Sequence, residues 1–433
     1  MKIKKIAAAA LSFCVVGGAF SMPNVVMNES GIVASAADDY TKGAYGDYTY
    51  NKYADHIEIT GCRESVRVAS IPSRISGLPV TVIGSYAFGD MDLVSVKIPD
   101  SVTILDNGCF SGCDKLSSLT LSSNIRRIEE HAFSECSALT SFNFPNKVEY
   151  IGEWAFKECT GLTSLDIPDS VKTIDDDAFY GCSNLTSVKL PSRLTSLNYQ
   201  LFGFCSSLRS ITIPDGVTLI YGRAFKNCEN LSSVNLPKNL REIGSGAFEG
   251  CERLTSINIP DNVTDIGWDA FAYCGLTSVT LPESVDSVGA GAFHKNNLRN
   301  ITILNPYCSL GIGAFYNFID DEPTTSITGY DNSTAHMYAI DKDLRFISLG
   351  EIKYKMGDMN SDNEINALDA SLALTAYALS AIGLGNGLTK DQVKAADVNK
   401  DGAVDALDAS KMLEYYAYTA TGGTDSLVDF LNK

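Results

Sequence analysis

Apolar positions recur along most of the chain with one long period. Phe88, Phe110, Phe133, Phe156, Phe179, Phe202, Phe225, Phe248, Phe271, Phe293 and Phe315 stand 22 or 23 residues apart. Around each runs one frame, L-x-x-V-x-L-P-x-x-V-x-x-I-x-x-x-A-F-x-x-C-x-x. Leu162, Leu165, Ile167, Pro168, Val171, Ile174, Ala178, Phe179 and Cys182 fill it in one copy, and the stretch from Leu231 to Cys251 repeats it. The alternation at Val234 and Leu236 predicts a short half-buried strand. The following proline ends it, because proline has no N–H for a further ladder bond. Apolar positions three and four apart then turn the chain back with one face inward. A single coil cannot bury that face, whereas stacked coils share a continuous core. The pattern therefore predicts a repeat solenoid with a short strand in each 23-residue coil. At about 4.8 Å per strand, its coils form a rod roughly 50 Å long.

The cysteines follow the same period. Cys113, Cys136, Cys159, Cys182, Cys205, Cys228, Cys251 and Cys274 are each 23 residues apart. Disulfide frameworks need pairs, and this is a ladder, so the thiols are expected reduced and buried as small apolar groups. Some copies depart from the frame. Cys109 and Leu201 replace the alanine, Ser122 replaces the proline, and Met91, Asn296 and Phe318 take the cysteine position.

Between the strand's inward positions lies a row of Ser118, Ser141, Ser164, Ser187, Ser210, Ser233, Ser256 and Ser278, expected to point outward. Thr140, Thr163, Thr186, Thr255 and Thr277 run beside it. Such a face suits a broad polar ligand, and small β-tolerant polar residues also simply suit an exposed strand. Trp154, Tyr199, Tyr221, Trp268 and Tyr273 are expected on the surface at different positions of the frame, scattered rather than forming a platform.

After Gly350 a different duplication begins. Asp358 to Asp369 and Asp397 to Asp408 lie 39 residues apart and match at nearly every oxygen-bearing position. Calcium takes six to eight hard oxygen ligands, which a twelve-residue loop supplies from positions 1, 3, 5, 7, 9 and 12. In the first loop these are Asp358, Asn360, Asp362, the Glu364 carbonyl, Asn366 through water, and Asp369. In the second they are Asp397, Asn399, Asp401, the Ala403 carbonyl, Asp405 and Asp408. Gly402 provides the sharp turn at position six, and Asn363 stands in for it in the first loop. Ile365 and Val404 point inward at position eight. The reading is two calcium ions, one per loop. Position twelve is aspartate rather than the glutamate of a sensor EF-hand, and Gly357 stands where an entering helix would end. A helix is expected to leave each loop, over 370–381 and 409–418, with Thr389 capping a short helix through Ala396 between them.

The N-terminus reads as an export signal. Lys2, Lys4 and Lys5 precede an apolar stretch from Ile6 to Phe20 that is too short to span a bilayer, and small residues at 34–37 suit cleavage after Ala36 or Ala37. Acidic residues outnumber basic ones 52 to 34, for a net charge of -18, which argues against nucleic acid as a partner. No other stretch is apolar enough for membrane insertion. The chain thus divides into a signal peptide (1–37), an N-terminal cap and first partial coil (38–79), a solenoid with its C-terminal cap (80–350), a linker (351–355), the calcium module (356–421) and a tail (422–433). His56, His131, His294 and His336 sit in no nucleophile or metal motif, and no G-x-S-x-G, H-E-x-x-H or phosphate loop is present.

The repeated A-F-x-x-C-x-x-L signature resembles the BspA-like bacterial leucine-rich repeats, over about residues 45 to 349. The paired loop–helix units resemble a small all-α calcium-binding type I dockerin. That resemblance implies calcium-dependent docking to a cohesin module of an extracellular scaffold, as in cellulosomes that degrade plant cell walls. It implies recognition residues at loop positions ten and eleven, here Ala367, Leu368, Ala406 and Leu407. Many dockerins carry hydroxyl residues there, so the apolar pair implies a different specificity. Because both copies read A-L-D-A-S, either is expected to present the same face after a half-turn. The expected function is a secreted non-catalytic binding or adhesion module whose solenoid ligand, protein or glycan, the sequence does not name. The alternative is a glycan-active hydrolase whose catalytic carboxylates sit unrecognised in the repeats.

Overall fold

The structure is a computed structural model that describes residues 40–316, 325–352, 354–360, 364–383 and 385–432, together with two short strands at Met27–Asn28 and Gly31–Ile32. The signal segment, its cleavage site, Phe318, Asp362 and Asn363 lie outside the described residues.

The repeats wind into a β-solenoid of about 12 turns. Each serine row position opens a strand of the first wall, as at Ser164–Asp166, Ser187–Lys189, Ser210–Thr212 and Ser233–Asn235. These pair in parallel with the repeat's own register, Ser164 beside Ser187 and Ser210 beside Ser233. A slip of one residue would turn Leu165 and Ile211, both buried, out to solvent, so the alternation holds the register.

A second row of two-residue strands, absent from the sequence reading, forms the opposite wall. Ile104, Arg127, Tyr150 and Thr173 pair in succession. The I-x-x-x-A-F part of the frame explains it: Ile128, Ile151 and Ile174 are buried on one side while their neighbours stay in contact with solvent. Each turn then tightens around the A-F pair. Left-handed backbone recurs on both sides of that pair, at Trp154 and Glu158 in one coil and at Asp269 and Tyr273 in another. Gly152 lies so close to the preceding coil that a Cβ would stand 2.6 Å from the Glu130 nitrogen, which is why that frame position is often glycine.

The core is a stack. From Phe88 to Phe315, successive phenylalanine rings lie 5.1 to 5.7 Å apart between centroids, at interplanar angles of 4 to 16°. Both ends are covered, as a solenoid requires. At the N-terminal end the hairpin Thr41–Tyr45/Tyr48–Lys52 joins Ile57–Cys62, which pairs antiparallel with the hairpin and parallel with Leu78–Ile83. At the other end stand helix α1 (Thr334–Asp341), capped by Ser333, and two parallel strands, Ser326–Asp331 and Arg345–Glu351.

Beyond lie α2 (Ala367–Ala381), α3 (Lys390–Ala396), α4 (Ala406–Ala420) and α5 (Leu427–Leu431). Ala370, Ala373, Ala409 and Met412 pack α2 against α4 around Met356, Met359 and Val398. The segment after residue 421 returns to this core: Leu427 is buried in it, and Tyr415 Oη donates to the Asp425 carbonyl at 3.0 Å.

Candidate calcium loops and docking face

Sequence spacing placed both helix starts three residues too late. Asn366 and Asp405, at loop position nine, cap α2 and α4 and accept the amide N–H of Leu368 and Leu407 at 2.8 and 2.7 Å. Asp369 and Asp408, at position twelve, complete capping boxes. Their competence as caps outweighs the loop reading, and Ala367, Leu368, Ala406 and Leu407 become the first turn of each helix.

The position-twelve aspartates are fully buried and hold each loop shut in the same way. Asp369 Oδ1 accepts from the Met359 and Asn360 amides at 2.8 and 3.3 Å, and its Oδ2 from Asn366 at 2.9 Å. Asp408 repeats this on Val398, Asn399 and Asp405, at 2.9, 3.2 and 2.9 Å. Asp358 is buried as well.

In the second loop Asp397 accepts from the Asp401 and Gly402 amides at 3.1 and 3.0 Å. Asn399 Nδ2 donates to Asp401 Oδ2 at 2.9 Å, and Asp401 Oδ1 accepts from Ala403. Gly402 has the positive φ, +85°, that position six requires. Burial pushes the Asp397 carboxyl up to about 6; the Gly402 amide opposes the rise, and Asp408 and Asp401 add to it. Asp408 is raised too, chiefly by burial. Among the described residues, no three His, Cys, Asp or Glu side chains gather as a ready metal cluster. The donors are nevertheless all oxygen and lie on one loop, with mutually repelling carboxylates held from water. That chemistry fits a hard divalent cation, which would draw the oxygens of Asp397, Asn399, Asp401 and Asp408 off their amide partners.

The structure adds docking-face residues that the sequence reading missed. Leu368 and Leu407 are 54% and 52% exposed, Leu374 and Leu413 both 42%, and Tyr377 and Tyr416 43% and 44%. Each pair is 39 residues apart, so the duplication places the same apolar face on α2 and α4. Comparing the two helices at that spacing would have found them. Ala367 and Ala406 are exposed beside them.

This module sits on the end of the solenoid. Tyr307 Oη donates to the Tyr354 carbonyl at 3.1 Å and accepts from the Met356 amide at 3.0 Å. Lys394 pairs with Glu283, and Lys400, from the second loop, with Asp286 at 2.5 Å. Pro306, Tyr338, Tyr415 and Leu427 line a cavity of about 600 Å³ at the junction. Along the solenoid the serine row is exposed as expected. Trp268 and Tyr273 are exposed at 69% and 47%, whereas Trp154 is only half-buried surface, its ring 4.7 Å from that of His131.

A long stack of 23-residue coils closed by a helical, loop-paired C-terminal module defines a repeat protein with an appended docking domain. The chain belongs to the BspA-type leucine-rich-repeat family, whose model matches residues 69–186, 155–275 and 264–333, and the dockerin type I domain model matches residues 356–415. Among solved structures it is similar to a leucine-rich-repeat protein from Bacteroides ovatus, at 23% identity and TM-score 0.53, over 75% of this chain and 80% of that one. A leucine-rich-repeat protein of T. pallidum is 33% identical over 46% of this chain and 90% of its own, with TM-score 0.41. A leucine-rich cell surface protein of Faecalibacterium prausnitzii is 24% identical over 70% of this chain and 98% of its own, with TM-score 0.47. No curated protein matches the chain. Among the described residues, no helix is long and apolar enough to cross a membrane.

Proposed function

We propose that the chain is a secreted, non-catalytic binding module that attaches through two calcium-loaded dockerin loops to a cohesin module of an extracellular scaffold engaged in polysaccharide breakdown. The observation that carries the attachment is the duplicated apolar face, Leu368, Leu374 and Tyr377 on α2 matched by Leu407, Leu413 and Tyr416 on α4 at near-equal exposure. Exposed leucines and tyrosines in one patch mark a protein-binding surface. None of the six lines the cavity against the solenoid. Calcium acts on this face indirectly. The loops carry the first turns of α2 and α4, so ordering the loop oxygens around an ion sets the angle at which both helices leave. The repeat fold supports the non-catalytic reading, since proteins of this family are built as binding surfaces.

The test is titration of the full chain against a panel of type I cohesins, with calcium saturating and then with chelator. Binding to at least one cohesin that chelator abolishes is the expected result. Calcium-independent binding, or none across the panel, overturns the proposal.

A further inference from the structure

The first wall of the solenoid is polar and uncharged over long stretches, and one place on it breaks the pattern. Arg209 stands in the column otherwise filled by Thr163, Thr186, Ser232 and Thr255. Arg253 stands in the adjoining column, below Ser207 and Asn230, two coils further on. The six residues Thr186, Ser207, Arg209, Asn230, Ser232 and Arg253 enclose one open depression of about 410 Å³.

We infer that this depression is a binding site for an acidic oligosaccharide, a short run of uronate units whose carboxylates meet the two guanidiniums. Most surface cations elsewhere on the wall are already matched, as Lys189 is by Asp166. Arg209 and Arg253 are exposed, and among the described residues neither has a carboxylate within ion-pair distance, even though the chain carries a net charge of -18. Glu229 and Glu252 lie next to Asn230 and Arg253 in sequence and form no such pair with them. Two planar forks without partners therefore face the same space, and a guanidinium binds a carboxylate through two parallel N–H bonds. The coils are about 4.8 Å apart, so two coils separate the forks by roughly 10 Å along the wall, enough for one carboxylate each.

The rest of the lining decides between a sugar and an acidic peptide. Thr186 Oγ1 donates its proton to the Thr163 carbonyl at 2.9 Å, and Ser232 Oγ donates to the Arg209 carbonyl at 3.2 Å. Each hydroxyl has spent its one proton within the wall and offers only lone pairs to a ligand. Acceptors beside guanidinium donors match a molecule that is both carboxylate and polyol. A peptide would gain most from adding a strand to a free edge. Here Ser210–Thr212 is already paired on both sides, with Ser187–Lys189 and Ser233–Asn235. This inference concerns the solenoid alone and does not depend on the docking proposal.

The test is calorimetric titration of the full-length protein, calcium saturating throughout, with trigalacturonate, its methyl ester, a neutral cellotriose and a triglutamate peptide. Trigalacturonate should bind, and both the ester and the neutral sugar should bind at least tenfold more weakly. Arg209→Gln and Arg253→Gln should each weaken binding about tenfold, and the double variant should abolish it. The double lysine variant keeps both charges without the fork and should fall between. Unchanged thermal unfolding of each variant shows that the wall still stands. Equal binding of the ester, tighter binding of triglutamate, or no effect of the double glutamine variant overturns the assignment, as does a failure of trigalacturonate to bind. Cohesin binding by all these variants should stay as in the parent, which separates this result from the docking one.

Discussion

The thiol of Cys159 donates to the carbonyl of Phe133 in the preceding coil, at 3.0 Å. The same carbonyl also accepts the Cys136 amide of its own coil, at 3.3 Å. The bond recurs from Cys113 to Cys274, always to the phenylalanine carbonyl of the coil before, at 3.0 to 3.3 Å. The cysteine is thus a stitch between coils that also fills core volume. Asn296 makes the same stitch with an amide, its Nδ2 donating to Phe271 O at 2.7 Å, which explains why that departure from the frame is tolerated. Cys205→Ala should cost about 1 kcal/mol, since the small cavity is the main loss and the Phe179 carbonyl keeps its amide partner. Cys205→Ser should cost more, because the shorter hydroxyl stays buried without reaching that carbonyl. Urea unfolding midpoints of the two variants check the order. Alkylation of unreduced protein should label the whole ladder after denaturation and none of it before.

Alkaline pH should unfold the solenoid steeply. Burial pushes Cys136, Cys159, Cys182 and Cys205 well above the ordinary 9.0, and Cys113 to about 12. A raised folded value means the neutral thiol belongs to the fold. Its stabilisation is complete below pH 9.0 and drains away as pH rises toward the folded value, because only the unfolded chain ionises there. Each such thiol removes about 1.4 kcal/mol per pH unit. Stability curves from pH 8 to 10.5 should therefore lose about three protons of slope when Cys159, Cys182 and Cys205 are all alanine. An unchanged slope would show that the thiols ionise within the fold.

The solenoid was legible in the chain because one residue type per position, Phe179 or Cys182 for example, is copied coil after coil and each copy faces the same wall. The second strand row was not, since two-residue strands such as Ile104–Leu105 are too short to show alternation. The calcium loops were legible from Asp358, Asp397 and their followers, where oxygen chemistry dictates residue type. The helix starts were misplaced because Asp369 and Asp408 serve both as loop donors and as capping-box residues, and local spacing cannot separate the two uses. The seating of the module on Tyr307, Glu283 and Asp286 joins residues more than 40 positions apart with no periodic signal between them.

That seating leads to a prediction about the junction. Lys400 belongs to the second calcium loop and pairs with Asp286 of the solenoid, so the ion and the contact share one loop. Chelator should reduce the helical signal of the C-terminal module while leaving the β-signal of the solenoid unchanged, because binding to a site absent from the unfolded chain is folding free energy. Asp286→Lys should free the module, increase protease cutting between residues 350 and 356, and leave calcium stoichiometry as it was. Limited proteolysis with and without calcium checks both. An exposed pair contributes only about 0.2–1 kcal/mol, so Tyr307→Phe, which removes the bonds to Tyr354 and Met356, should loosen the junction further.

The duplicated face makes the strongest demand on partner binding. If α2 and α4 present equivalent surfaces, a cohesin can seat on either one after a half-turn of the module. Leu368→Asp alone should then leave affinity within a few-fold of the parent, and so should Leu407→Asp. Burying a leucine side chain contributes about 1.5–3 kcal/mol, and about 1.4 kcal/mol is tenfold in affinity. The variant carrying both changes should therefore bind at least a hundredfold more weakly. Pairing Leu368→Asp with Tyr416→Ala should do nearly as much, because it damages one residue on each face. Pairing it with Tyr377→Ala should do little, because both changes fall on α2. Titration calorimetry with calcium saturating distinguishes these cases, and loss of binding on Leu368→Asp alone would restrict docking to the α2 face.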